Sequence, residues 1–266
     1  MNPLANDQTR QAIRERYGKV AQTDDANCCS TTASCCEPSV DAKAASMQMG
    51  YSSADVNQVP QGANMGLGCG NPKAIAALQP GETVLDLGSG GGFDCFLAVQ
   101  EVGQSGRVIG VDMTPEMITK ARANADAAGH ANVDFRLGEI ENLPVADSMI
   151  DVIISNCVIN LSPDKPQVFR EAYRVLKPGG RLAISDVVST AELPESAKRD
   201  LSLLAGCMSG AASIEQTQSM LQNAGFQAID IQPKDESKQF IREWEPGSKM
   251  EDYVVSATIE AVKPVV

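Results

Sequence analysis

Two sets of residues in this chain have the types and spacings that chemistry needs: a glycine-rich turn and a scatter of eight cysteines. Residues 84–93 read VLDLGSGGGF, an apolar run that enters four glycines among five residues. Val84, Leu85 and Leu87 predict a buried strand, and only glycines let the backbone then turn sharply and approach a ligand closely. The spacing Gly88, Gly90, Gly92 puts Phe93 where the dinucleotide fingerprint needs its third glycine, which argues against a nicotinamide cofactor. Asp86 sets a carboxylate beside the turn where a phosphate site would want a lysine. A cationic ligand is favoured over a phosphate.

The cysteines are read against the compartment. A formal charge of −12 and a pI near 4.6 oppose binding to nucleic acid, which needs lysine and arginine to displace counterions. No stretch is apolar enough to span a bilayer, and the N-terminal residues lack the apolar core of a secretory signal, so a cytoplasmic protein without a membrane partner is expected. Thiols in that setting are metal-binding, redox or catalytic rather than structural disulfides. Only one histidine, His130, is present, and its place after a helix suits a solvated or capping role. Cys95, inside FDCFLAV, reads as core.

The elements that must position these groups follow from periodicity and breakers. Residues 9–20 place Ile13 and Tyr17 at helical spacing, and the polar stretch after them carries Cys28, Cys29, Cys35 and Cys36, which predicts a mobile arm. Residues 73–78 predict a helix. From Glu82 strands alternate with helices: strands at 84–87, 107–111, 133–137, 150–155 and 182–185, helices at 93–102, 115–128 and 166–176. A Rossmann-like, doubly wound, mostly parallel α/β sheet is expected, with ligands beyond the strands' C-terminal ends, where Asp86, Asp112, Glu139 and Asn156 fall. Residues 191–222 predict a largely helical cap carrying Cys207, and 226–231 and 253–262 predict two last strands that pair antiparallel at the sheet edge. The expected division is an N-terminal helix and cysteine-rich arm (1–65), a core (66–190), a cap (191–225) and C-terminal strands that complete the sheet (226–266).

The D-x-G-x-G-x-G stretch resembles motif I of the class I S-adenosylmethionine methyltransferases, whose cofactor carries a positive sulfonium and an amino group. That resemblance implies S-adenosylmethionine as cofactor, with Asp86, Gly88, Ser89 and Gly90 forming its cradle. Asp112, about twenty residues on, takes the place of an acidic residue that holds ribose hydroxyls. Glu139 and Ile140 would meet the adenine edge and face, Met113 would cover the other face, and Asn156 closes the strand end. The turn RVLKPGGRL extends the likeness to about residues 81–186.

The methyl acceptor is read from the fourth strand's end, SNCVINLSPDK. The N/D-P-P-Y/F stretch of methyltransferases acting on base amines is absent. Cys157 instead sits at that tip, and Cys69 and Cys207 reach it if the cap folds over. Three thiolates without histidine suit a soft three-coordinate centre, and trivalent arsenic fits, its neutral trithiolate being cheap to bury. LGLGCGNP, DLGSGGGFDC, IGVDMTPEM, SNCVINLSPDK and AGCMSGA together resemble the arsenite S-adenosylmethionine methyltransferases over about residues 62–210. The resemblance implies that Cys69, Cys157 and Cys207 bind As(III), and that an N-terminal cysteine among Cys28, Cys29, Cys35 and Cys36 exchanges disulfides with them. It implies detoxification of arsenite and methylated arsenicals, with thioredoxin or glutathione as reductant. The expected mechanism is direct displacement, the arsenic lone pair taking the sulfonium methyl with no general base. Two rivals stand beside it. One is a methyltransferase for a small quinone- or sterol-like acceptor, disfavoured because aromatics make up only 4% of the chain. The other is a non-catalytic metalloid-binding protein, disfavoured by the intact cofactor register.

Overall fold

The structure is a computed structural model, and it describes residues 3–22, 41–198, 200, 203–204, 206–244 and 247–265. The cysteine-rich arm, with Cys28, Cys29, Cys35 and Cys36, lies outside the described residues. Seven strands form one sheet in the order β3-β2-β1-β4-β5-β7-β6. These are β1 (Thr83–Leu87), β2 (Arg107–Asp112), β3 (Val133–Leu137), β4 (Ile150–Asn156), β5 (Leu176–Ser189), β6 (Gln227–Lys234) and β7 (Val254–Val262). The first five run parallel, and β7 lies antiparallel between β5 and β6. The expected doubly wound sheet is therefore present, with β7 as its reversed strand.

Helices cover both faces because the strands are apolar on both. Along β1 the two-residue period sends Leu85 and Leu87 to one face and Val84 to the other. On the first face Leu85, Ile153 and Leu182 meet Phe169 of α7 (Lys165–Val175) and Leu221 of the helix at Ile214–Ala224. On the second, Val84, Val152 and Ile154 meet Phe96 of α5 (Phe93–Val102) and Ile118 of α6 (Pro115–Ala128). Chain order reverses between β1 and β4, the place where such sheets open a crevice for ligands.

Three segments differ from the expectation for reasons beyond local pattern. Strand β5 starts as soon as α7 ends and runs to Ser189, because β7 pairs with it from Arg181↔Val262 to Ser189↔Val254. Residues 191–222 are not one helical cap. Among the described residues a short α8 (Glu195–Lys198) is followed by turns around Cys207, and the helix at Ile214–Ala224, here α9, packs Met220 and Leu221 onto the sheet core. Ahead of the core, within the 1–65 stretch for which only one helix is expected, lie α2 (Ala42–Gln48) and α3 (Ser53–Gln58). Ser52 and Asp55 form a capping box at the start of α3, a signal present in the sequence. The remaining helices are α1 (Pro3–Gln22), α4 (Lys73–Ala76) and α10 (Lys238–Trp244). No helix of the described residues is long and apolar enough to cross a membrane.

Phe96 backs the glycine-rich turn. It is fully buried, and a Cβ at Gly92 would come within 2.7 Å of its ring. Phe96→Ala should cost about 3–5 kcal/mol by the usual price of an aromatic cavity, read as a lowered midpoint in urea unfolding.

Candidate active site

The crevice at the β1/β4 reversal holds a cavity of about 540 Å³, floored by the glycine turn and roofed by α1. One end is the turn. Gly88 and Ser89 donate their amides to Val111 O at 2.7 and 3.0 Å, which ties the turn to β2. Gly88 has φ +73°, and a Cβ there would meet Val158 at 2.4 Å, so only glycine lets the turn pass this close to β4's exit. Asp112 is held by both oxygens: Gly90 N–H donates to Oδ2 at 3.0 Å and Thr114 N–H to Oδ1 at 2.8 Å. Each oxygen keeps a lone pair for a ligand hydroxyl.

Carboxylates on this wall are poised for a cation. Asp86 is buried and accepts a hydrogen bond from Cys95 Sγ at 3.3 Å. Burial, reinforced by Asp94, pushes Asp86 well above the usual carboxylate range. Asp94, buried on the first turn of α5, accepts from Tyr51 Oη at 2.6 Å, and burial raises it to about 6. Burial also raises Asp112. A bound positive charge would relieve that cost. The Tyr51–Asp94 pair was not found from the sequence, because the two residues meet only when α2 and α3 fold against α5.

The other end of the cavity gathers sulfur. Cys69, Cys157 and Cys207 are all buried and belong to one cluster. Asn156 fixes the first of them: its Oδ1 accepts from Cys69 N–H at 2.9 Å, while its Nδ2 donates to Gly70 O at 2.8 Å and Tyr51 Oη at 3.0 Å. A Cβ at Gly68 would strike that amide at 2.7 Å. The backbone of Cys69 also accepts from Ser256 Oγ at 2.7 Å. Cys157 and Cys207 both adopt left-handed backbones, φ +60° and +63°, a conformation uncommon outside glycine and concentrated at functional sites. Cys207 Sγ donates to Cys157 O at 2.6 Å. Burial raises Cys69; hydrogen bonding with Cys207 and Cys69, then burial, raises Cys157 well above an ordinary thiol. Both are neutral thiols near pH 7.

Of the residues singled out in the sequence, Asp86, Gly88, Ser89, Gly90, Asp112, Met113, Ile140, Asn156, Cys157 and Cys207 line the cavity, and Cys69 lies just behind its wall. Glu139 does not line it. Its carboxylate pairs with Arg14 at 2.5 Å and Arg10 at 3.4 Å, both on α1. His130 stacks on Phe96 at 5.6 Å between centroids, away from the cavity. The sequence did not reveal Tyr17, whose phenol is pushed up by burial and by Cys207 and Cys157, nor the apolar pair Phe240 and Trp244, 5.4 Å between centroids, which gives this end a greasier wall than the aromatic count suggests.

Comparison with known proteins fits this arrangement. Residues 78–225 match the family described as a methyltransferase domain. The chain is 54% identical over 265 residues to an arsenite methyltransferase of Halobacterium salinarum, covering 97% of this chain and 67% of that protein. The chain belongs to the arsenite methyltransferase family. A second member, from Aquipseudomonas alcaligenes, is 42% identical over 81% of this chain and 61% of its own length, so the chain spans about two thirds of these relatives or less. The crystal structure of an arsenic (III) S-adenosylmethionine methyltransferase from Chlamydomonas reinhardtii superposes with a TM-score of 0.61 at 34% identity, over 85% of this chain and 74% of that one.

S-adenosylmethionine is the cofactor of this family, and the residues present fit it. Ser89 Oγ is buried without a hydrogen-bond partner in the glycine turn, Asp112 offers two oriented oxygens, and Asp86 and Asp94 face the cavity with carboxylates that a cation would stabilise.

The raised Asp94 has a testable sign. Its native pKa of about 6 lies above the ordinary 3.8, so between those values the native state holds the extra proton. The ligand-free chain should lose stability as pH rises through that window, while affinity for the cationic cofactor grows as the carboxylate ionises. Calorimetric titration with S-adenosylmethionine should show this rise in the parent and a flattened profile in Asp94→Asn.

Proposed function

We propose that this chain methylates trivalent arsenic held by the thiolates of Cys69, Cys157 and Cys207, using S-adenosylmethionine bound across the glycine turn. One observation carries the reading: three buried thiols share one cluster, and two of them, Cys157 and Cys207, line a cavity whose other end suits a cationic nucleoside. Thiols that are neutral when empty suit arsenite. Three S–H bonds and three As–OH bonds become three S–As bonds and three waters, and no net charge is buried or released.

S-adenosylmethionine supplies an electrophilic methyl on a sulfonium. The chain's own groups do the rest. Asp112 would bind the ribose edge, Gly88 to Gly90 would let the backbone approach, and Ile140 and Met113 would offer apolar faces to the base. Asn156 holds the Cys69 backbone against the tip of β4, next to Cys157. Phe240, Trp244 and Tyr17 exclude water from that end. Transfer of that methyl to the arsenic lone pair would move no proton, so the chain needs no general base. Positioning and desolvation are the protein's contribution.

Forming the As–C bond raises arsenic formally to the pentavalent state. Two electrons from a pair of thiols return it to trivalent while those thiols become a disulfide. Cys28, Cys29, Cys35 and Cys36 are the reserve for that exchange, with thioredoxin or glutathione restoring them. The physiological role is arsenic detoxification in the cytoplasm.

The test is arsenite titration followed by mass spectrometry, with S-adenosylmethionine and a dithiol present. Methylated arsenic and S-adenosylhomocysteine should form together in the native chain. Cys157→Ser should abolish the arsenic product while binding cofactor near normally; turnover in that variant would refute the trithiolate. Asp112→Ala should weaken cofactor binding about tenfold to a hundredfold, the worth of hydrogen bonds to a charged group.

A further inference from the structure

Arsenic bound by three sulfurs leaves one group beside two of those sulfurs unused. Asp186 follows Ser185 on β5 and is 2% exposed. One carboxylate oxygen of Asp186 and the sulfurs of Cys69 and Cys157 all lie within 4.8 Å of one another. Three neutral donors orient this carboxylate. Oδ1 accepts from Asn160 Nδ2 at 2.9 Å and from Val187 N–H at 2.7 Å, and Oδ2 accepts from Ile159 N–H at 2.9 Å. Oδ2 therefore keeps a free lone pair. A buried carboxylate held in place by hydrogen bonds, beside two thiols, has the form of a metal ligand with its supporting shell already built.

We propose that the site also binds a divalent cation of the zinc or cadmium type, through Cys69 Sγ, Cys157 Sγ and Asp186 Oδ2, in competition with arsenite. Mixed sulfur and oxygen sets suit such ions, and zinc takes sulfur at about 2.3 Å and carboxylate oxygen at about 2.0–2.2 Å in a tetrahedron. Charge also balances: the cation enters as two thiol protons leave to solvent, so the net charge buried at the site is unchanged. Arsenite and the cation share two sulfurs and differ in the rest. Arsenite uses Cys207, a soft donor; the cation uses Asp186, a hard one. The inference shares two sulfurs with the arsenic reading but does not depend on it.

The experiment uses the full chain with Cys28, Cys29, Cys35 and Cys36 replaced by serine, so that the arm cannot take metal. Zinc is titrated against a chromogenic chelator, and arsenite binding is followed in parallel by mass spectrometry. One zinc per chain is expected, displaced by arsenite. Asp186→Asn should weaken zinc at least about tenfold, the scale on which groups at metal sites act, and keep arsenite; Cys207→Ser should keep zinc and lose arsenite. Equal zinc affinity in Asp186→Asn, or no zinc retained by the parent, overturns the proposal. Should Asp186→Asn fail to fold by circular dichroism, X-ray absorption of the zinc-loaded parent decides: two sulfurs with lighter neighbours support it, and four sulfurs or lighter atoms alone refute it. Zinc bound as expected in a parent that does not take arsenite would remove the arsenic reading and leave this one standing.

Discussion

The side chain of Asn156 is the constraint on which both ends of the cavity depend. One amide binds Cys69 N–H, Gly70 O and Tyr51 Oη together at the tip of β4. Tyr51 in turn donates to Asp94 on the first turn of α5. The loop that presents sulfur and the helix that follows the glycine turn are thus joined through two side chains. Moving either would leave buried polar groups without partners, each a cost of about 1–3 kcal/mol. The carboxylate end and the cysteine end are held in one frame by hydrogen bonds rather than by the sheet alone.

Burial sets the chemistry of the groups in that frame. Asp86, Asp94 and Asp112 are pushed upward because the cavity withholds water from them. Cys69 and Cys157 are pushed the same way. An empty site of this kind favours neutral acids and neutral thiols. Its natural ligands are those that bring positive charge to the carboxylates or exchange hydroxyls for sulfurs.

The sheet was legible in the sequence because its signals are local. The apolar run at 84–87, the glycines at 88–92, the Thr114 and Pro115 helix start and the Gly129 stop each depend on a few neighbours. The glycine turn and the place of Asp112 at the end of β2 were legible in the same way, whereas the single buried cluster of Cys69, Cys157 and Cys207 needs a loop, a strand end and the region after α8 to meet. What was missed depends on distant partners. β5 is long because β7 pairs along it, and the region around Cys207 turns instead of continuing as helix while α9 leaves for the core. Glu139 looked like an adenine contact by its place after β3, yet two arginines from α1 claim it. Nothing in the local pattern of residues 9–20 announces those pairings.

Helix α1 also shapes the cavity. It places Arg16 and Tyr17 on the cavity wall and ends at Gln22, while α2 starts at Ala42 and brings Ala45 and Gln48 to the same wall. One wall of the cavity is thus built from two helices that precede the sheet in sequence, so its shape is set by residues outside the 78–225 span shared with the wider methyltransferase family.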